Sequence, residues 1–253
     1  MFSTNLKTLE NKVIIITGGT SGIGYEIVRL LAPKNTVMVI ARASTRLDKL
    51  KSEFSSVEVF AADLSKPEQY ENLAAQILHR VNTIDVLVNN AAVQYTPTFL
   101  DEHFSYHSIE SEINLNFRSI CALSYLLLPA LQHDEPNIRE SAIVNINSGL
   151  ALAPKSSSAI YCATKAALDV FSQSLAYQLA HSNVKVMQAF LPIVDTPMTR
   201  GRGENKLSAN LAAQAIVSGI EKGQLVNDVG KVALLRVLLR VAPSIAKKIM
   251  KRA

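Results

Sequence analysis

Lys12-Val13-Ile14-Ile15-Ile16 runs directly into Thr17-Gly18-Gly19-Thr20-Ser21-Gly22-Ile23-Gly24, and a helical pattern follows from Tyr25 to Ala32. A β-branched run, a glycine-rich turn and a helix, in that order, read as the first βα unit of an α/β fold. Gly18 allows a tight turn, Gly22 lets backbone approach a pyrophosphate, and Gly24 permits close packing of helix on strand. Phosphates then sit on the helix N-terminus, so this turn points to a dinucleotide.

Outward from that unit, Thr36 to Ala41 reads as a second buried strand with Arg42 directly after it. An acid here would take a ribose 2′-hydroxyl, whereas an arginine favours a 2′-phosphate, so Arg42 points to NADP(H) over NAD(H). Val57 to Ala61 is a third strand, ending near Asp63-Leu64, where a carboxylate and backbone suit an adenine edge. Pro67 opens an amphipathic helix to about His79, and Asp85-Val86-Leu87-Val88 is a fourth strand before Asn89-Asn90-Ala91-Ala92. Strands alternating with helices at this spacing predict a doubly wound, mainly parallel sheet of about seven strands with helices on both faces.

The second half carries the chemistry. Ala142 to Ile146 is a buried strand leading to Ser148, and Tyr161-Cys162-Ala163-Thr164-Lys165 puts a phenol and an ammonium on one helical face, one turn apart. A phenol is a poor acid or base near neutrality unless a nearby positive charge stabilises the phenolate, and Lys165 is placed to supply it. A helical pattern runs from about Ser108 through Asn114 and Asn116 to Leu131, and polar residues from His133 to Glu140 form the loop before the fifth strand. Residues 197–208 are polar and contain glycines; they suit either a mobile substrate lid, with Arg200 and Arg202 favouring an anionic or polar substrate, or an ordinary surface loop.

Bulk properties narrow the class. The chain has 253 residues, 48% of them hydrophobic, and no Pro/Gly/Ser-rich linker, which predicts one α/β domain over residues 1–253. No apolar run reaches membrane-spanning length, and Met1 to Lys7 lacks the apolar core of a signal peptide, so the expected compartment is the cytoplasm. Two cysteines, Cys121 and Cys162, fit a reducing location. His103 and His107 have metal-ligand spacing but no evident third ligand, so no metal is expected.

The net charge of +5 belongs to the tail: residues 231–253 hold seven basic side chains and no acid. No aromatic interleaves them, which argues against nucleic acid. Arg236, Arg240, Lys247 and Lys251 fall near one helical face opposite Val232, Leu235 and Leu239, with Pro243 interrupting. Such a basic amphipathic tail could touch anionic lipid weakly or pack on its own or a neighbouring subunit.

Together, Thr17-Gly18-x-x-x-Gly22-x-Gly24, Asn89-Asn90-Ala91, Ser148 and Tyr161-x-x-x-Lys165 resemble the short-chain dehydrogenase/reductase family along essentially the whole chain. Asn35-Thr36-Val37 and Val194-Asp195-Thr196 look most like the oxidoreductases encoded beside cell-wall D-alanylation genes. The resemblance implies an NAD(P)(H)-dependent enzyme interconverting a carbonyl and an alcohol, with a small-molecule substrate and a homodimeric or homotetrameric assembly through helices such as the one carrying Tyr161. The alternative is a non-catalytic NADP(H)-binding sensor.

The implied catalytic set is Asn116, Ser148, Tyr161 and Lys165. Asn114 competes with Asn116, but Pro129 lies 13 residues beyond Asn116, the spacing the family keeps. By resemblance, Tyr161 is the acid/base, Ser148 hydrogen-bonds the carbonyl oxygen, Lys165 lowers the phenol pKa, and Asn116 holds a water linked to Lys165. The implied cofactor contacts are Gly18, Thr20, Ser21, Gly22, Ile23, Gly24, Arg42, Asp63, Leu64, Asn90, Ala91, Tyr161, Lys165, Val194 and Thr196. Gln94, Tyr95, Leu150, Pro154 and Ile193 are the expected substrate positions. Two departures stand out: Ala92 replaces a usual glycine, and the usual Pro-Gly step after a sixth strand, Val184 to Phe190, reads Pro192-Ile193.

Overall fold

A computed structural model of the chain describes Leu6, residues 8–132 and residues 140–252. The expected loop at residues 133–139 and most of the N-terminal stretch lie outside the described residues. The strands are β1 Val13–Thr17, β2 Thr36–Ala41, β3 Val57–Ala61, β4 Val86–Asn89, β5 Ser141–Ser148, β6 Val184–Leu191, the two-residue β7 Val194–Asp195 and β8 Leu207–Ser208, and β9 Val226–Asp228. Among the described residues the main sheet has seven strands, all parallel, in the order β3-β2-β1-β4-β5-β6-β9.

The β-branched runs explain the double winding. Side chains alternate across a strand, so Ile14 and Ile16 enter one apolar layer while Ile15 enters the other. The first layer is covered by α1 Gly22–Leu31, α2 Thr45–Glu53 and, later in the chain, a helix over Ala209–Glu221; the second by α3 Tyr70–Arg80 and the helices that follow β4. Each fully buried isoleucine contributes about 2 kcal/mol. A strand covered on both faces therefore needs an unbroken apolar run, which β1 and β2 have.

Between β4 and β5 the helix predicted as continuous is broken twice. It starts earlier, as α4 Tyr106–Ile113, widens into a π-turn over Asn114–Arg118, resumes as α5 Ser119–Leu126, and restarts as α6 Leu128–Leu131. The second break follows from Pro129, which has no N–H to continue the ladder. After β5 come the single turn α7 Gly149–Leu152 and the long α8 Ala159–Gln178, then α9 Ala209–Glu221, α10 Lys231–Val241 and α11 Pro243–Met250.

The tail departs from its expected pattern. Val232 is buried and Leu235 half-buried against Gly149, so the predicted apolar face is spent on the protein's own body. Arg236 leaves the basic face: its Nε and Nη2 donate to Asp228 at 2.6 and 2.8 Å, and its guanidinium lies 4.8 Å from the Phe190 ring centre. A second apolar row, Leu234, Val237 and Val241 on α10 and Ile245 and Ile249 on α11, is exposed. No helix among the described residues is long and apolar enough to cross a membrane.

Candidate active site

β1 and β4 are neighbours in the sheet although β2 and β3 lie between them in sequence, so the chain reverses its winding there and opens a crevice at their C-terminal ends. The crevice is stitched by Thr17, whose Oγ1 accepts from the backbone N–H groups of Asn90 and Ala91, both at 2.9 Å. Asn90 Nδ2 donates back to the carbonyls of Thr17 and Gly18 at 2.9 and 3.3 Å. Asn90 thus positions the glycine turn as well as bordering the crevice.

That turn has the backbone the sequence implied. Gly18 and Gly22 adopt φ of +70° and +56°, a region side chains disfavour. At Gly24 a Cβ would stand 2.3 Å from the Gly18 carbonyl oxygen and 2.5 Å from Asn90 Nδ2, so only glycine brings α1 this close.

One cavity of about 1100 Å³ runs from this turn to the tail. Of the expected cofactor positions, Gly18, Thr20, Ser21, Gly22, Ile23, Arg42, Asp63, Leu64, Asn90, Ala91, Val194 and Thr196 line it, together with Ser148, Tyr161 and Lys165. Gly24 stands behind the turn instead of in the wall. Burial pushes the Asp63 carboxyl up, but hydrogen bonds from the Ser65 N–H and hydroxyl and the nearby Arg42 charge bring it below its ordinary value. Arg42 is joined at the wall by Ser44, Thr45 and Arg46 at the start of α2, which sequence reasoning passed over; a second cation four residues on was the available signal.

The cradle fits a dinucleotide phosphate: two positive-φ glycines, the free N–H groups at the start of α1, and a close approach that a side chain would block. Arg42 and Arg46 add two cations to the wall of the same cavity.

Ser148 closes β5 and caps α7, its Oγ accepting from the Leu150 N–H at 3.2 Å. Its proton is therefore free to reach Tyr161, and a Ser148 hydrogen bond favours the phenolate. Burial outweighs it and pushes Tyr161 up to about 12. Lys165 Nζ donates to the Ile146 carbonyl at 2.7 Å and lies 5.7 Å from the Tyr161 ring centre. Burial depresses Lys165 to about 8. The expected lowering of the phenol by Lys165 is thus not the dominant effect here: both groups are desolvated, and each is pushed toward its neutral form.

The two asparagines separate cleanly. Asn116 is fully buried, its Oδ1 accepting from the Val93 N–H and its Nδ2 donating to the Val93 carbonyl, each at 2.8 Å, and to Thr164 Oγ1 at 3.3 Å. Asn114 instead donates to the Ser65 carbonyl at 3.2 Å. Asn116 is the one tied to the helix of Tyr161 and Lys165, and it stands behind the cavity wall, in the π-turn.

The substrate side is built from distant segments. Gln94, Tyr95, Leu150 and Ile193 line it as expected, but Pro154 is exposed and its neighbour Lys155 lines the wall instead. Arg202 enters the wall, whereas Arg200 is exposed outside it. Residues 197–208 are pinned at both ends, because β7 pairs with β8 through Val194↔Leu207 and Asp195↔Ser208, and Lys206 Nζ donates to the Thr199 carbonyl at 2.8 Å. Lys231, Val232, Leu235 and Met250 of the tail complete the wall, and no local motif announces them. Among the described residues no three His, Cys, Asp or Glu side chains converge as a metal site requires.

The short chain dehydrogenase family profile matches residues 12–207. A Bacillus subtilis protein described as the uncharacterized oxidoreductase DltE is 33% identical over 223 residues, 85% of this chain and 87% of its own. A short chain dehydrogenase from Burkholderia cenocepacia in complex with NADP superposes with a TM-score of 0.84 at 23% identity, over 96% of this chain and 98% of its own. A Brucella melitensis 3-ketoacyl-(acyl-carrier-protein) reductase complexed with NADH superposes with a TM-score of 0.77 at 24% identity, over 88% and 98%. The glycine turn, the stitched crevice and the Ser148–Tyr161–Lys165 cluster thus sit on one scaffold with these proteins: the chain belongs to the short-chain dehydrogenase family and is an NAD(P)-dependent oxidoreductase acting on CH–OH and C=O groups.

Proposed function

We propose that the protein reduces a carbonyl compound to an alcohol with NADPH, using Tyr161 as the proton donor. The observation that carries this reading is the meeting of Ser148, Tyr161 and Lys165 in the wall of the cavity that the glycine turn opens. When bound, the nicotinamide supplies the hydride. Tyr161, held protonated at neutral pH by burial, delivers its proton to the carbonyl oxygen as negative charge develops there. Ser148 donates a hydrogen bond to the same oxygen and then to the phenolate. Lys165, still largely cationic at pH 7, stabilises that phenolate once it forms and borders the nicotinamide ribose. Asn116 fixes the π-turn against Val93 and Thr164 with its side chain, and a water held by its main chain reprotonates the site through Lys165. Arg42 and Arg46 take the 2′-phosphate.

The test is a titration of NADPH against NADH, followed by NADPH oxidation over a carbonyl panel with wild type, Tyr161→Phe and Arg42→Ala. NADPH binds more tightly than NADH, Tyr161→Phe loses at least ~10³-fold in turnover while binding NADPH as before, and Arg42→Ala weakens NADPH about tenfold with NADH unchanged. Equal NADPH and NADH affinity defeats the 2′-phosphate assignment. Tyr161→Phe turnover within a few-fold of wild type defeats the catalytic one.

Residues 1–253 form one domain in this reading, since the cavity wall draws on residues from Gly18 to Met250. The exposed face of α8 around Val170, Ser174 and Tyr177 carries no charge, so a second copy can meet it across a two-fold axis without like-charge repulsion. The exposed apolar row of α10 and α11 is instead flanked by Lys231, Arg240, Lys248 and Arg252, with no acid in the segment, which disfavours self-pairing and fits an anionic lipid surface. Co-sedimentation with anionic but not zwitterionic vesicles, abolished by Val237→Glu, is the expected result; equal sedimentation with both would remove the lipid from this picture.

A further inference from the structure

Two cations, Arg202 and Lys155, line the substrate side of the cavity. Arg202 Nη1 donates to Gln94 Oε1 at 3.1 Å and Nη2 donates to the Met198 carbonyl, which fixes the guanidinium in the cavity wall. Because Gln94 Oε1 faces Arg202, its amide nitrogen is turned away, buried and without a partner. Lys155, in the same wall, forms no ion pair among the described residues, and the Arg202 charge is near enough to disfavour its protonation further. Glu204, the acidic residue on this side of the wall, is exposed and pairs with neither cation. Two like charges held near each other in a partly apolar wall, with no carboxylate paired to either, are costly unless an anion completes them. Leu150, Ile193, Leu235 and Met250 supply an apolar wall beside this cluster.

We infer that Lys155 and Arg202, the latter held in place by Gln94 Oε1, form an anion receptor, so that the carbonyl substrate is an amphiphile with an apolar body and a carboxylate or phosphate group. This rests on the reductase reading for the word substrate, but the receptor itself does not need turnover to be seen. Arg42 and Arg46 lie at the opposite end of the cavity with the nucleotide, so the two cationic clusters serve different anions. The anion held by Lys155 and Arg202 fixes which carbonyl carbon faces Tyr161.

The experiment is calorimetric binding of octanoate, octyl phosphate and octanamide to the enzyme with and without NADP⁺, for wild type, Lys155→Gln, Arg202→Gln and Arg202→Lys. The better anion binds about tenfold or more tightly than octanamide in wild type, equivalent to about 1.4 kcal/mol, and raised salt narrows the gap. Lys155→Gln and Arg202→Gln each reduce that ratio at least threefold, Arg202→Lys keeps more of it than Arg202→Gln, and NADPH affinity is unchanged in all three. Comparison of octanoate with octyl phosphate identifies the head group. An anion-to-amide ratio near one in wild type, or a ratio that neither Gln variant moves, overturns the receptor. If NADPH fails to bind while the anion preference persists, it is the reductase reading that falls and the receptor that stands.

Discussion

The nucleotide half and the substrate half of the cavity are built on opposite principles. The nucleotide half uses strand ends and one turn: Thr17 to Gly24, Arg42, Asp63 and Asn90, each at the C-terminal end of a parallel strand. Its hydrogen bonds tie side chains to neighbouring backbone and are closed among themselves, as Thr17 and Asn90 show. The substrate half uses loops and the tail, with Gln94, Lys155, Arg202 and Met250 drawn from four separated segments, and it leaves donors unanswered. A site common to many proteins is written in local backbone geometry, whereas a site particular to one is assembled from side chains whose neighbours are far away in sequence.

If the nucleotide half is rigid because its backbone is packed to contact, a single methyl should break it. Gly24→Ala puts a Cβ against the Gly18 carbonyl and Asn90 Nδ2, and neither backbone nor the doubly bonded amide can yield cheaply. The expected loss is about 3 kcal/mol of stability with nucleotide binding impaired as well, read by chemical denaturation and nucleotide titration. Wild-type stability in this variant would show the turn to be looser than described.

Between the halves lies Lys165, whose burial can be read as a pH effect. With its folded value depressed to about 8 from 10.5, both states hold the proton below pH 8 and the folded one bears the full desolvation cost. Between these values the unfolded state keeps a proton that the folded state has lost, so stability rises with pH. Relative to Lys165→Met, the wild type should therefore gain about 2 to 3 kcal/mol of unfolding free energy from pH 7 to 10, ending before Tyr161, raised to about 12, begins to ionise. A pH-independent difference between the two proteins would mean that Lys165 is better solvated than its burial indicates.

The substrate half should answer more softly. Leu235 is half-buried, lies over Gly149 and lines the cavity, so Leu235→Ala trims the wall without touching the reacting groups. A rise in KM of a few-fold with kcat retained, on the order of 1 kcal/mol, sharpens the contrast. A fall in kcat equal to that of a Tyr161 variant would merge the two halves into one cooperative unit.

The same contrast governs what could be read in advance. The central parallel strands and their winding followed from apolar runs whose meaning is local, and so did the glycine turn and the Tyr161–Lys165 pair, whereas the edge strand β9 is short, polar and half exposed and has no such run. The π-turn at Asn114–Arg118 was hidden because nothing in the run distinguishes it from an α-helix; it depends on Asn116 meeting Val93, 23 residues away. The tail was half legible: its amphipathic period was visible, but Arg236 could not be assigned to Asp228 without knowing that β9 leads into α10 beside Phe190. Lys155 gave no signal, since a lysine in a serine-rich loop looks like any solvated cation until the tail covers it.

The Ser156 N–H and hydroxyl both donate to the Lys251 carbonyl, at 3.2 and 2.6 Å, and Met250 beside it lines the cavity. The two regions thus differ in reach: the glycine turn is closed by partners within residues 17–91, whereas the loop carrying Lys155 is clasped by a residue 95 positions further on.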